Sequence, residues 1–219
     1  MSAQALVVIG GGEHARVVIE AARSRPDLWD VSGFVDPEPC EETATRLGLR
    51  RLGGDDWVAS TGARPWLVLG VGAVGISRRR ETIVAGYAAR AAKWATIVHA
   101  AAWVSPTAAL GPGAVVMAGA VVNSGARLGP HVVVNTGAVV EHDVVVGAFV
   151  QLGPAAAVGG GAVVEAGCYL GLGCRVRDHV RIGPEALVGM GAVVVGDVEG
   201  GAVVAGLPAQ PLSAGARRE

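Results

Sequence analysis

From Ile97 onward the chain repeats with a period of six, and no other feature restricts its fold as strongly. Cut at that residue, it reads IVHAAA, WVSPTA, ALGPGA, VVMAGA, VVNSGA, RLGPHV, VVNTGA, VVEHDV and on to VVVGDV, seventeen blocks with no insertion. The second position is Val, Leu or Ile in every block, the sixth is Ala, Val or Cys, and the third is often glycine. Six is neither a helical period nor the plain alternation of a half-buried strand. It suits short strands joined by tight turns, with the second and sixth side chains pointing inward. Three blocks then close one triangular coil of eighteen residues. Stacked coils bury their aliphatics on those above and below, which gives a quasi-one-dimensional core.

Composition agrees with this reading. Thirty-four glycines, 4% aromatic and 17% charged residues, and a mean hydropathy of +0.46 suit a small, tightly turning unit better than an ordinary α/β enzyme. The uncharged stretch 144–164 would alarm a hydropathy window. Its five glycines, its proline and its strict β-branched period exclude a transmembrane helix. A net charge of −1 and a pI near 6.5 point to no nucleic-acid or membrane surface. Cys40, Cys168 and Cys174 form no CxxC pair, so neither a metal site nor a disulfide framework is expected. The opening MSAQALVVIGGG lacks a basic n-region, and a cytoplasmic protein is expected.

Residues 1–96 follow another pattern. ALVVIG (5–10) reads as a buried strand, followed by a helix to about Arg23, strands at 31–36 and 66–72, and a helix over 77–92. Such alternation predicts a small parallel βαβ sheet of Rossmann-like type. The expected domains are therefore 1–96 and 97–219. Gly10, Gly12 and Ala15 match G-x-G-x-x-A after a strand, and Asp36 ends the next strand, as in a dinucleotide fingerprint. A domain under a hundred residues fits a nucleoside diphosphate better than a whole dinucleotide. His14, just after the turn, either reaches a phosphate or sugar hydroxyl or merely begins the helix.

The block VVEHDV breaks an apolar run with three ionisable groups. Val140 and Val144 take the inward positions, so Glu141, His142 and Asp143 project from the turn. Residues eighteen apart stack, placing Gly160 on one side of His142 and Ser124 on the other. A carboxylate beside an imidazole can bind one ring nitrogen and make the other more basic. The competing reading is a solvated corner, which also describes His131 and His179. Cys168 and Cys174 hold inward sixth positions, where a thiol is inert.

GGGEHARVV, GFVDP, VEHDVVVG and VVAGLPAQP together resemble the bacterial nucleotide-sugar acetyltransferases with a hexapeptide-repeat left-handed β-helix. These include acetyl-CoA-dependent N-acetyltransferases of nucleotide-linked 4-amino-4,6-dideoxy sugars and enzymes named as sialic acid O-acetyltransferases. The resemblance runs from about Leu6 to Pro211. It implies a homotrimer, a nucleotide-sugar-binding N-terminal domain, and acetyl transfer on the β-helix without a metal. It further implies His142 as base and Asp143 as the residue that raises its basicity. Gly12, Glu13, His14, Asp36, Pro37 and Gly70 would meet the nucleotide sugar; Gln151, Gly160, Leu172 and Met190 would line the acetyl-CoA path. Glu13 stands where the family has glycine, Gln151 where some members have histidine, and Gln210 where a lysine is usual. O-acetylation of a sialic acid-like sugar and non-catalytic nucleotide-sugar or NAD binding are the alternative functions.

Overall fold

The computed structural model describes residues 2–62, 64–76, 78–88 and 92–212. The chain divides into two compact units: Met1–Gly72 with Arg78–Ala100, and Ala73–Ser77 with Ala101–Glu219.

In the first unit, β1 (Gln4–Ile9), α1 (Glu13–Arg23), β2 (Trp29–Val35), α2 (Glu41–Leu47), β3 (Arg51–Gly53), α3 (Trp57–Ser60), β4 (Trp66–Leu69), α4 (Arg79–Ala88) and β5 (Lys93–Trp94) follow in chain order. The strands form one parallel sheet ordered β3-β2-β1-β4-β5. A central parallel strand is covered on both faces, and Leu6, Val7, Val8 and Ile9 of β1 are all buried. α1 buries Ala15, Val18, Ile19 and Ala22, an i, i+3, i+4, i+7 stripe. The strand expected to continue to 72 stops at Leu69, and the helix expected over 77–92 is Arg79–Ala88, with 77 and 89–91 outside the described residues.

The second unit is a left-handed, three-sided parallel β-helix. From Trp103–Val104 to Val193–Val194 each strand has two residues and pairs with the strand eighteen residues away, as Val121 and Val122 pair with Val139 and Val140. The three faces are separate sheets. Second and sixth positions are buried in every block from Ala114 to Val194, whereas Val104 and Leu110, nearer the start of this unit, are half-buried. Each fully buried valine or leucine contributes roughly 1.5–3 kcal/mol relative to exposure. The fold therefore rests on many equal contributions.

Turns follow a fixed backbone rule. From Gly113 to Gly191 the fifth position of each block takes the left-handed conformation, with φ 70° at Gly125, 58° at Asp143 and 66° at Gly161. Glycine fits there without strain, and Asp is among the side chains that tolerate it. At the end of the coil Val203–Ala205 pairs parallel with Leu187–Val188, then antiparallel with Gln210–Pro211. Among the described residues no helix is long and apolar enough to cross a membrane.

Candidate active site

One corner of the coil brings together the three ionisable groups of VVEHDV. Val140 and Val144 are buried, which turns the intervening side chains outward. His142 Nδ1 lies 3.0 Å from Asp143 Oδ2, with side-chain exposures of 58% and 72%. The left-handed backbone at Asp143 swings its carboxylate back towards the preceding ring. A carboxylate at Nδ1 favours the tautomer that carries its proton there, leaving the Nε2 lone pair outward.

Gly160 lies one coil above this ring. A methyl group built on it would stand 2.5 Å from His142 Nε2, so any side chain would displace the imidazole. Gly160 carries no positive φ among the coil glycines; the position needs glycine for space. Its carbonyl accepts the N–H of His179, while its own N–H meets no acceptor among the described residues. An uncommitted donor thus stands next to an uncommitted base.

Glu141 has different partners. Its Oε2 accepts the side-chain N–H of Asn123 at 3.0 Å and the backbone N–H of His142 at 3.3 Å. The two flanking carboxylates are therefore divided, one on the ring and one on the backbone. The motifs of the sequence do not single out Asn123; its eighteen-residue offset from Glu141 is the signal that marks it.

Leu172 and Met190 occupy equivalent corners of adjacent coils, tied by the Gly191 N–H to the Leu172 carbonyl at 2.8 Å. They are 54% and 79% exposed, an apolar pair aligned along the coil axis. Gln151 is placed otherwise. It is 7% exposed, and its amide closes a two-way pair with the backbone of Ala73, donating at 2.9 Å and accepting at 3.1 Å. It clamps the 73–76 segment. His131, expected at a solvated corner, is instead buried and stacked on Phe149 at 5.0 Å between ring centroids. The aromatic neighbour eighteen residues on covers it. His179 is exposed, as a corner residue should be.

In the first unit the glycine turn is braced from within. Asp36 Oδ2 accepts the Gly11 N–H at 2.7 Å and Oδ1 accepts the Glu38 N–H at 2.9 Å. Thr43 Oγ1 donates to the Gly11 carbonyl at 2.5 Å. Asp36 thus ties the end of β2 to the turn, and a ribose would have to compete for oxygens already bonded. Gly70 is buried, with room only for the backbone against Val8 and Ala15, so it serves helix-on-sheet packing. Gly12, Glu13 and Pro37 are exposed around the turn.

His14 follows the turn and is largely covered. A methyl group on Gly72 would stand 2.9 Å from its Cγ, so the Gly72 backbone lies directly against the ring. Burial, assisted by the Arg80 guanidinium, lowers its pKa to about 4, so the ring is neutral at physiological pH. Its Nε2 is buried without a hydrogen-bond partner among the described residues. A buried polar atom left in that state costs about 1–3 kcal/mol unless a ligand or water meets it. Arg80 is also buried, and burial lowers its pKa to about 10.

Comparison with known proteins adds independent findings. Residues 5–86 match the PglD N-terminal domain family. A histidine-to-asparagine variant of perosamine N-acetyltransferase from Caulobacter crescentus, solved with CoA and GDP-perosamine, is 35% identical. Its TM-score is 0.84, over 95% of this chain and 97% of that chain. The acetyltransferase domain of PglB from Neisseria gonorrhoeae, solved with acetyl coenzyme A, is 33% identical, with a TM-score of 0.86 over 96% and 100%. WeeI from Acinetobacter baumannii, 22% identical with a TM-score of 0.82 over 94% and 99%, shares the fold. No curated protein sequence matches the chain.

Proposed function

This chain belongs to the nucleotide-sugar N-acetyltransferase family, and from that premise we propose that it acetylates the C4 amine of a nucleotide-linked 4-amino-4,6-dideoxy sugar using acetyl-CoA, with His142 as general base. The observation that carries the assignment of the base is the His142–Asp143 pair at 3.0 Å, with Nε2 outward beside a glycine that leaves it room.

The transfer is direct. The amine nitrogen attacks the thioester carbonyl, His142 Nε2 takes the amine proton, and the carbonyl oxygen gains the negative charge. The Gly160 N–H, which meets no acceptor among the described residues, is the donor we assign to that charge. The carbon–sulfur bond then breaks, the amide remains, and the CoA sulfur leaves and is protonated. A thiol with an ordinary pKa near 8.5 is a good leaving group and needs little acid assistance. Asp143 stabilises the imidazolium formed in between. Leu172 and Met190, which stack on another corner of the coil, line the acetyl-CoA path. Gln151 acts through the segment it clamps.

The nucleotide sugar is held at the glycine turn. Gly12, at the head of α1, leaves space for a diphosphate near a helix N-terminus. His14 offers Nε2, Asp36 holds the turn in shape, and Glu13 and Pro37 border it. We assign this portion, 1–96, to nucleotide-sugar binding and 97–219 to acetyl transfer. The protein works in the cytoplasm as a homotrimer, since an apolar stripe exposed along one coil corner gains cover from a neighbouring coil.

A thiol-release assay tests the reading. CoA should appear only when a nucleotide-linked 4-amino sugar is supplied; release with free sialic acids and none with amino sugars would transfer the assignment to O-acetylation. Sedimentation showing a fully active monomer would remove the trimer.

A further inference from the structure

His142 sits between two carboxylates that have different partners. Asp143 is on the ring; Glu141 is turned to the backbone, where Oε2 receives both the Asn123 amide and the His142 N–H. We propose that Asn123 is a positioning residue for the reaction, its side-chain amide holding Glu141 on the backbone N–H so that the imidazole answers to Asp143 alone. The inference rests on His142 being the base.

The backbone sets the spacing. Asn123 and Glu141 stand at the same place on successive coils, the Asn123 N–H bonded to the Val140 carbonyl at 2.9 Å and the Glu141 N–H to that of Val158 at 3.0 Å. With both main chains fixed, the remaining freedom lies in the side chains. A carboxylate can only accept, and the Asn123 amide supplies the donor that selects one of its orientations. One coil lower, the Ser105 hydroxyl is engaged with Thr107 Oγ1 at 3.0 Å.

An unheld Glu141 would have a better electrostatic partner nearby. A free carboxylate next to an imidazole is drawn to any ring N–H that Asp143 does not use, namely the one on Nε2 of the imidazolium or the other tautomer. Bonding there occupies the atom that must take the amine proton and favours the protonated ring. Two carboxylates on one histidine would make a strong ion pair and a poor catalyst. Few other charges bear on this ring: Ser124 and Gly160 occupy its position on the adjoining coils, and Arg177, Asp178 and His179 lie two coils on.

The test is a cycle of N123A, E141A and the double variant, measured as kcat and KM across pH for both substrates. N123A is expected to lower kcat roughly fivefold at neutral pH, the worth of about one hydrogen bond. Its ascending pH limb should move upward by about half a unit, the effect expected of one freed charge near the ring. Both KM values should hold. E141A should suppress the defect, the double variant matching E141A alone, because without the carboxylate nothing remains to restrain. A purely structural Asn123 would give no such suppression. An unmoved pH limb in N123A, or a defect that persists in the double variant, overturns the proposal. Should N123A not fold, N123S, too short to reach Glu141, carries the same expectations. H142A separates the levels: turnover kept in H142A sinks the general base itself, while a dead H142A beside a silent N123A sinks only the role of Asn123.

Discussion

His14 and His142 belong to different units and are set up in opposite ways. His142 stands on a coil corner, open to solvent, with one ring nitrogen on a carboxylate and the other unobstructed. His14 is packed under the backbone of Gly72 near a buried arginine, and its pKa falls to about 4. The first is prepared to exchange a proton; the second is held neutral, able to hydrogen-bond but unsuited to carrying charge. A partner and access make a base, whereas burial makes a fixed polar contact. Exchanging either environment should abolish the corresponding role.

The largest expected effect comes from removing the base. H142A should lose on the order of 10² to 10⁴ in kcat with little change in either KM. D143N should lose less, because the ring remains while its orienting charge is gone. The rate of the wild type should rise with pH to a plateau, and this limb should be absent from H142A. Near wild-type turnover by H142A would reduce the corner to a solvated turn and erase the contrast with His14.

G160A sharpens the same side of the comparison without replacing an ionisable residue. The new methyl would stand 2.5 Å from Nε2, so the ring must turn away and the neighbouring N–H shifts with it. Because Gly160 has no positive φ, alanine is acceptable to the backbone and the coil should fold normally. A loss of roughly 10² in kcat is expected, comparable to losing one oxyanion donor. Unchanged kcat in folded G160A would show that neither the space nor the donor is used.

These two expectations rest on residues legible in the sequence, and the reason is the repeat. In the coil, the residue stacked on a given position is found eighteen residues away, so the period alone sets Gly160 over His142. Position in the block is a weaker guide than the identity of that neighbour: His131 shares the fifth position with exposed residues, yet it is buried because Phe149 lies over it. The first unit offers no such rule. α2, β3, α3 and β5 are short, and α2 buries only Thr43, so no hydrophobic period announces them. The bonds of Asp36 to the turn and of Gln151 to Ala73 join residues 25 and 78 positions apart through backbone atoms, which side-chain identity does not encode.

H14N should act on binding. An asparagine retains a polar group but cannot place it at the depth of Nε2, so KM for the nucleotide sugar should rise about tenfold, with kcat nearly kept. A second readout is stability against pH. The unfolded chain protonates this histidine near 6.5 and the folded chain only near 4, so the unfolded state binds more protons in between. Stability from this residue is therefore present above about 6.5 and is lost as pH falls towards 4. In H14N that part of the acid-side decline in melting temperature should vanish. A decline as steep as that of the wild type would mean the ring is not desolvated.

The smallest effect should come from the two inward cysteines, which test whether the chemistry belongs to the histidine corner at all. Cys168 and Cys174 are buried at sixth positions, and burial raises their thiols to about 11 and about 12. At neutral pH both are protonated, and a thiol, unlike a thiolate, does not attack a thioester. Cys168 also donates to the Gly183 carbonyl at 3.0 Å, a packing contact inside the coil. C168A and C174A place the residue most common at this position of the repeat. Each should cost about 1 kcal/mol of stability through the lost sulfur volume and leave kcat within roughly twofold. Mass spectrometry after mixing with acetyl-CoA should find no acetyl group on the protein. An acetylated cysteine peptide, or loss of turnover in a well-folded alanine variant, would mean that transfer passes through a covalent intermediate, and the comparison of the two histidines would no longer describe how this chain works.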